Sequence, residues 1–362
     1  MFDCNADLKA FHDNHVSLKR DQQNDMRARR KANQDRLKKG LEKNDEPQPL
    51  YHQAQGSYEM RTMIQDANND YDIDDGAVFD KEDLVGAQGA YKSPLDARKM
   101  VRDALDDGSF AAPPEVKTNC VRVYYQQGYH VDIPVYRELE DGTKELASSE
   151  WRGSSPSEVT DWYNDAVIQK SPDTTNGRQM RRITKHEKVH ARSRDSWKRP
   201  MPSGLLISKL TDECYVSDER DDKSLRLTMK AVYNRLCLNL EVMHPVRNEM
   251  LTTGPEDAST KFLRNKLKEA LSALEVLDDP DCKRSDALKA WNKVFAHQFW
   301  ADRAAAAEED EKKRRDKEET AALLRGGSQG LAIAAGLVAA TAATAIRAKP
   351  TQAFGSDKKS RR

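Results

Sequence analysis

Gln55-Gly56-Ser57, followed after a gap by Asp70-Tyr71-Asp72-Ile73-Asp74-Asp75-Gly76, is the stretch on which the reading of this chain turns. On an extended strand, residues two apart share a face, so Asp72 and Asp74 project together while Ile73 turns the other way into a core. A second apolar segment, Tyr129-His130-Val131-Asp132-Ile133-Pro134-Val135-Tyr136, carries one acid, Asp132, on the face opposite the row Val131, Ile133, Val135. A carboxylate in a buried strand costs stability unless it is paired or bound to a cation. Three acids on two neighbouring strands therefore predict a hard-cation site built from oxygen ligands. Gly56 allows the backbone to approach a phosphate closely, and Ser57 with the N–H groups after it can open a short helix whose N-terminus favours anions. A phosphate cradle beside a two-metal acid cluster reads as nucleotidyl transfer, with Asp132 as second-metal ligand or general base for the attacking hydroxyl.

The same residues carry a family resemblance. Gly56-Ser57, Asp72-Ile73-Asp74-Asp75-Gly76 and His130-Val131-Asp132-Ile133-Pro134 resemble the polymerase-beta-like nucleotidyltransferase core, in the form found in bacterial cGAS/DncV-like nucleotidyltransferases. The likeness continues through Pro202-Ser203-Gly204, Arg220-Asp221-Asp222-Lys223, Lys230-Ala231-Val232-Tyr233-Asn234 and the segment from Ala287 to Phe295, and so spans roughly residues 50 to 300. It implies an α+β, bilobal molecule: a nucleotidyltransferase lobe with a mixed sheet and helices, a helical C-terminal lobe, and an active site in the cleft between them. It implies Asp72, Asp74 and Asp132 as catalytic residues and ligands of two magnesium ions, and Gln55, Gly56 and Ser57 as nucleotide-binding residues. The implied substrates are ATP and GTP. The implied product is a cyclic dinucleotide or oligonucleotide messenger of antiphage defence, by closest likeness 3′,3′-cyclic GMP-AMP. A linear transferase acting on an RNA end or a protein hydroxyl is the alternative enzyme. An inactive nucleotide-binding scaffold is the alternative of another class, and it would be expected to have lost one of the three acids.

Composition narrows the partners. Lys and Arg equal Asp and Glu, at 60 each, so no global field draws nucleic acid or an anionic membrane, and no nucleic-acid activator is expected. Five scattered cysteines form no Cys-x-x-Cys or Cys/His cluster, which argues against disulfides and structural zinc and for the reducing cytoplasm. Residues 1 to 30 lack the apolar run of a signal peptide.

Along the chain, residues 1–50 read as an N-terminal helix, from Phe2 to about Lys43 and ending near Gly40, with a linker at Pro47 and Pro49. The catalytic core occupies 51–155: the Gly-Ser turn, an acid-bearing strand through Phe79, a turn at Asp75-Gly76, a helix from Ser93 to about Leu105, and a hairpin turning at Gln127-Gly128. From 156 to 300 the pattern is helical, with helices predicted at 156–169, 178–198, 204–216, 222–243, 257–277 and 284–300. The segment from Arg178 to Arg199 holds nine Lys or Arg against two acids, and Arg181, Lys185, Lys188 and Arg192 share one helical face. A solvated face fits this pattern. With the metal motif upstream, phosphate contact through Arg182 or Lys185 and Lys188 is favoured, while Lys230 is a phosphate or base contact by resemblance and a surface lysine by default.

A charged helix is predicted at 301–325, and 326–362 reads as an Ala/Gly-rich flexible tail. The 21 residues Gly326 to Ile346 carry no charge, but eight are alanine, so membrane contact is disfavoured against a flexible tail. The closing Lys349 to Gly355 resembles tails handled by an E1/E2-like conjugation partner, although charged residues here follow the glycine.

Overall fold

The acid-bearing segment forms β2 (Asp72–Asp80), the strand around which the catalytic lobe is arranged in this computed structural model. Residues 1–66, 72–86, 88–125, 128 and 130–325 are described, with backbone alone for Asp72, Leu324 and Arg325. β1 (Tyr51–Gln55) pairs antiparallel with one edge of β2. Along the other edge run β5 (His130–Ile133) and β6 (Val135–Glu138), both parallel to β2. Asp74 lies opposite Asp132 and Ala77 opposite Val135, so one register carries through both segments. Pro134, which cannot donate to the ladder, interrupts the pairing without shifting it, and its carbonyl accepts the Ala77 N–H at 2.9 Å.

β4 (Val121–Tyr124) pairs antiparallel with β5, as the predicted hairpin requires, and β3 (Glu115–Val116) adds beyond it. β7 (Lys144–Ala147) and β8 (Trp151–Gly153) extend the sheet from β6, completing eight strands among the described residues. Ile73, Val121, Val123, Val131, Ile133 and Val135 are buried together in one core. It is covered by α2 (Arg20–Lys43), through Met26, Leu37 and Leu41, and by α4 (Pro94–Leu105). Ser93 caps α4 as expected, its hydroxyl accepting the Asp96 N–H.

Two expectations for this lobe are corrected. Asp75-Gly76 does not turn the chain but continues β2, because glycine is needed where the Tyr136 ring packs: a Cβ at Gly76 would lie 2.7 Å from Tyr136 Cε2. The single N-terminal helix is instead α1 (Asn5–Phe11), a π-helical turn over His12–Val16, an extended break, and then α2, which runs through Gly40. The break follows from burial. Leu8, Phe11 and Val16 belong to the core of the helical lobe, whereas Met26, Leu37 and Leu41 belong to the core under the sheet.

The helical lobe holds α5 (Pro156–Lys170), α6 (Gln179–Arg192), the short α7 (Asp195–Lys198), α8 (Gly204–Cys214), α9 (Asp221–Leu238), α10 (Ala258–Ala273), α11 (Arg284–Phe295) and α12 (Gln298–Arg325). The predicted 178–198 helix is split after Arg192, and the 222–243 helix ends at Leu238. The predicted boundary near residue 300 lies inside α12, and the real break is at Ala296, in the left-handed region at φ +46°. That bend lets Trp291, Phe295 and Trp300 pack together around Phe11. Among the described residues no helix is long and apolar enough to cross a membrane. The uncharged 326–346 stretch and the conjugation-type tail lie outside the described residues.

Candidate active site

β1 ends at Gln55 and α3 (Gly56–Glu59) begins at once, with Gly56 at φ +67°. A side chain at Gly56 would be strained by that backbone and would run into Asp74 Oδ2, so the Gly-Ser turn rests directly against the acid. One strand further on, Asp132 is paired in register with Asp74. Val131 and Ile133 on either side of it are buried, which fixes the face Asp132 occupies. Asp132 is held by Arg122 of β4, whose Nε and Nη2 donate to its two carboxylate oxygens at 2.7 Å each. Cys120 sits nearby, its thiol pushed well up by burial and then by the Asp132 charge.

The structure thus brings together Gly56, Ser57, Asp74 and Asp132. Asp72 is in β2, opposite His130, and its side chain is outside the described residues. Among the described residues no three or more His, Cys, Asp or Glu side chains gather into one metal-holding group. The chemistry of the donor set nevertheless fits a hard divalent cation: Asp74 and Asp132 offer carboxylate oxygens from registered strands, and Asp72 lies two residues before Asp74 on the same strand. Arg122 supplies positive charge against Asp132 on the side away from Asp74.

At Asp74 opens a cavity of about 460 Å³, walled by the catalytic lobe at Gly56, Ser57 and Asp74 and by the helical lobe at Lys188, Arg192 and Ser203. Lys188 is buried, and its ammonium donates to Thr62 Oγ1 at 2.7 Å. Burial first, and then Arg192 and Lys185, bring its pKa down to about 7. Ser203 caps α8, accepting the Leu206 N–H. Lys188 is the cleft cation that the sequence predicts as a phosphate contact, and Thr62, Arg192 and Ser203 join it here. Arg192 was legible as a member of the same α6 face, and Ser203 from the Pro202-Ser203-Gly204 motif; Thr62 carried no signal.

The remaining candidates lie elsewhere. Arg182 is buried and bonded to both oxygens of Asp221, at 2.7 and 2.9 Å, with Asp173 at 2.9 Å, so it ties α6 to α9. Lys185 lines a separate cavity and donates to Ser17 Oγ at 3.3 Å. Lys230 is exposed on α9 and outside both cavities. Gln55 accepts the Tyr136 hydroxyl at 3.0 Å, where burial lifts that phenol to about 12.

Residues 51–136 match the family model described as the cyclic GMP-AMP synthase DncV-like nucleotidyltransferase domain. Among solved structures, the chain is similar to Escherichia coli DncV in its 3′-deoxy GTP bound form, with 14% identity, coverage of 79% of this chain and 93% of that one, and a TM-score of 0.63. It is also similar to the Bradyrhizobium diazoefficiens CD-NTase CdnG in complex with GTP, at 15% identity, 84% and 99% coverage, and a TM-score of 0.64. A third is Vibrio cholerae DncV cyclic AMP-GMP synthase in complex with the linear intermediate 5′ pppA(3′,5′)pG, at 17% identity, 79% and 93% coverage, and a TM-score of 0.63. At such identities these structures establish the fold: a DncV-like nucleotidyltransferase lobe with a helical C-terminal region. Residues 51–136 are thus similar to the DncV-like nucleotidyltransferase domain, and the chain around them shares the fold of these structures.

Proposed function

We propose that this protein joins purine nucleoside triphosphates into a cyclic dinucleotide or oligonucleotide, with ATP and GTP as substrates and 3′,3′-cyclic GMP-AMP as the best-supported product. The observation that carries the reading is the pairing of Asp74 with Asp132 directly beneath the Gly-Ser turn. Structures with the same fold support the substrate class: one relative is described with GTP and another with a linear adenosine-guanosine intermediate. A messenger role in antiphage defence, in the cytoplasm, follows from the family resemblance.

In this reading Ser57 and the backbone N–H groups of α3 take the triphosphate from below, while Lys188 and Ser203 close on it from the helical lobe. The 3′-hydroxyl oxygen of one nucleotide attacks the α-phosphorus of the other, the bond from that phosphorus to the bridging oxygen breaks, and pyrophosphate leaves. Asp132 accepts the hydroxyl proton, oriented for it by Arg122. Two magnesium ions, held by Asp72, Asp74 and Asp132, would supply neutralisation of the phosphate charge and acidify the attacking hydroxyl.

Incubating the protein with magnesium and four labelled triphosphates tests this. A phosphatase-resistant product, identified by mass spectrometry, supports cyclisation, and a sensitive ladder would assign linear transfer instead. The Asp72→Ala/Asp74→Ala variant is expected to lose turnover with its melting transition retained. Activity surviving in that variant removes the site assignment.

A further inference from the structure

A second cavity, of about 600 Å³, lies on the other side of α3 from the catalytic cleft. The segment Met60–Met63 forms the wall between the two, with Met63 lining both. On the cleft side Lys188 is bonded to Thr62, and on this side Arg181 Nε donates to the Met60 carbonyl at 3.1 Å. Arg61, between them, has a left-handed backbone at φ +55° and lines this second cavity. The basic face of α6 is therefore shared: Lys188 and Arg192 serve the cleft, while Arg181 and Lys185 serve the cavity behind it.

The charge in this cavity is unbalanced. Among the described residues, Arg27, Arg61, Arg181 and Lys185 all line it and none of them forms an ion pair. Their bonding partners are neutral: Arg181 donates to the Gly177 carbonyl at 2.7 Å and to Asn164 Oδ1 at 2.8 Å, Arg27 donates to the Tyr58 hydroxyl at 3.3 Å, and Lys185 to Ser17. The one acid in the wall is Glu59. Burial and the neighbouring Arg181 bring the Lys185 amine down to about 8, as expected of cations crowded without a counter-ion. The wall also holds His12, 2% exposed, whose Nδ1 is buried without a hydrogen-bond partner. His12 opens the π-helical turn, a backbone irregularity that is common at functional sites.

Four unneutralised cations around one concave space, with a spare imidazole nitrogen, suit a compact and multiply charged anion better than a single carboxylate. We propose that this cavity is a second anion site of the molecule, distinct from the catalytic cleft, which takes the polyphosphate group of a nucleotide or a free polyphosphate. The site stands independently of the catalytic reading, because none of its cations belongs to the cleft.

Calorimetric titration of the full chain with inorganic tripolyphosphate, in the absence of divalent metal, tests it. Two binding events are expected. Arg27→Gln/Arg61→Gln, at two exposed positions, is expected to weaken one event about tenfold, and Glu59→Gln to strengthen that same event, a gain that misfolding cannot imitate. Ser57→Ala/Lys188→Met is expected to remove the other event and leave this one, so that failure of the cleft and failure of this cavity read differently. A parallel titration with ATP separates the sources: tighter binding than tripolyphosphate at this site assigns a nucleotide, and equal binding assigns the bare polyphosphate. A single event insensitive to the Arg27 and Arg61 changes would overturn the proposal, as would citrate binding at this site as tightly as tripolyphosphate.

Discussion

Three cations of α6 occupy three different electrostatic situations. Arg182 faces carboxylates and is a structural tie, Lys185 faces other cations, and Lys188 is buried at the cleft wall beside a threonine hydroxyl. With its pKa drawn from 10.5 to about 7 by burial, Lys188 is largely uncharged in the free protein on the alkaline side of neutrality. An incoming triphosphate restores the missing counter-charge and raises the pKa again, so nucleotide binding near pH 8, about one unit above that value, is expected to take up a proton. Calorimetry in two buffers of different ionisation enthalpy measures it. The uptake contributed by this residue should vanish in Lys188→Met and fade as the pH falls below about 7, where the amine is already charged. The sign for stability follows the same shift. Between about 7 and 10.5 the unfolded chain holds a proton that the folded chain lacks, so this group adds stability as the pH rises through that window.

At the level of elements, Asp75 shows what alternation on a strand can do. Asp74 faces the Gly-Ser turn, while Asp75, on the other face, accepts from Arg30 Nε at 2.6 Å and from Gln34 Nε2 at 2.9 Å, fastening α2 to β2. Burial pushes this carboxyl up, but the bonds from His52, Arg30 and Gln34 outweigh it and hold the group below the usual carboxylate range. Asp75→Ala is expected to destabilise the catalytic lobe by about 1–3 kcal/mol, since it strands a half-buried guanidinium, and chemical denaturation measures it. The stability that Asp75 contributes is present above its unfolded value of 3.8 and is lost as the pH falls through the lower folded value, so an Asp75→Asn chain should show a shallower acid limb. The acid strands were legible because period-two burial writes itself into Ile73, Val131, Ile133 and Val135. The Ser93 cap was legible because a side chain answering an N–H three residues on is a local event. The purpose of Gly76 was not, because it depends on Tyr136, which is distant in sequence. The same holds for the break after Val16, where the chain passes from the core of the helical lobe to the core under the sheet, and for the bend at Ala296, which packs Phe295 and Trp300 against Phe11, distant in sequence; local propensity carries no trace of either.

For the molecule as a whole, the N-terminal segment spans two cores. Phe11 is fully buried against Phe295, Phe299 and Trp300 in the helical lobe, only a short stretch before α2 docks onto the sheet. Phe11→Ala is expected to cost about 3–5 kcal/mol, read from the denaturation midpoint. It should also shift the helical lobe relative to the cleft, reducing turnover beyond what the population of folded protein explains. A final consequence comes from the single alignment that β2 keeps with β5 and β6 across Pro134. A slip by one position would drive Asp132 into the oily layer and push Val131 out into water, at a penalty no half-formed sheet could absorb. Water aversion thus acts as proofreader for the chemistry: copies that complete their sheet have, by the same act, set their acids in place.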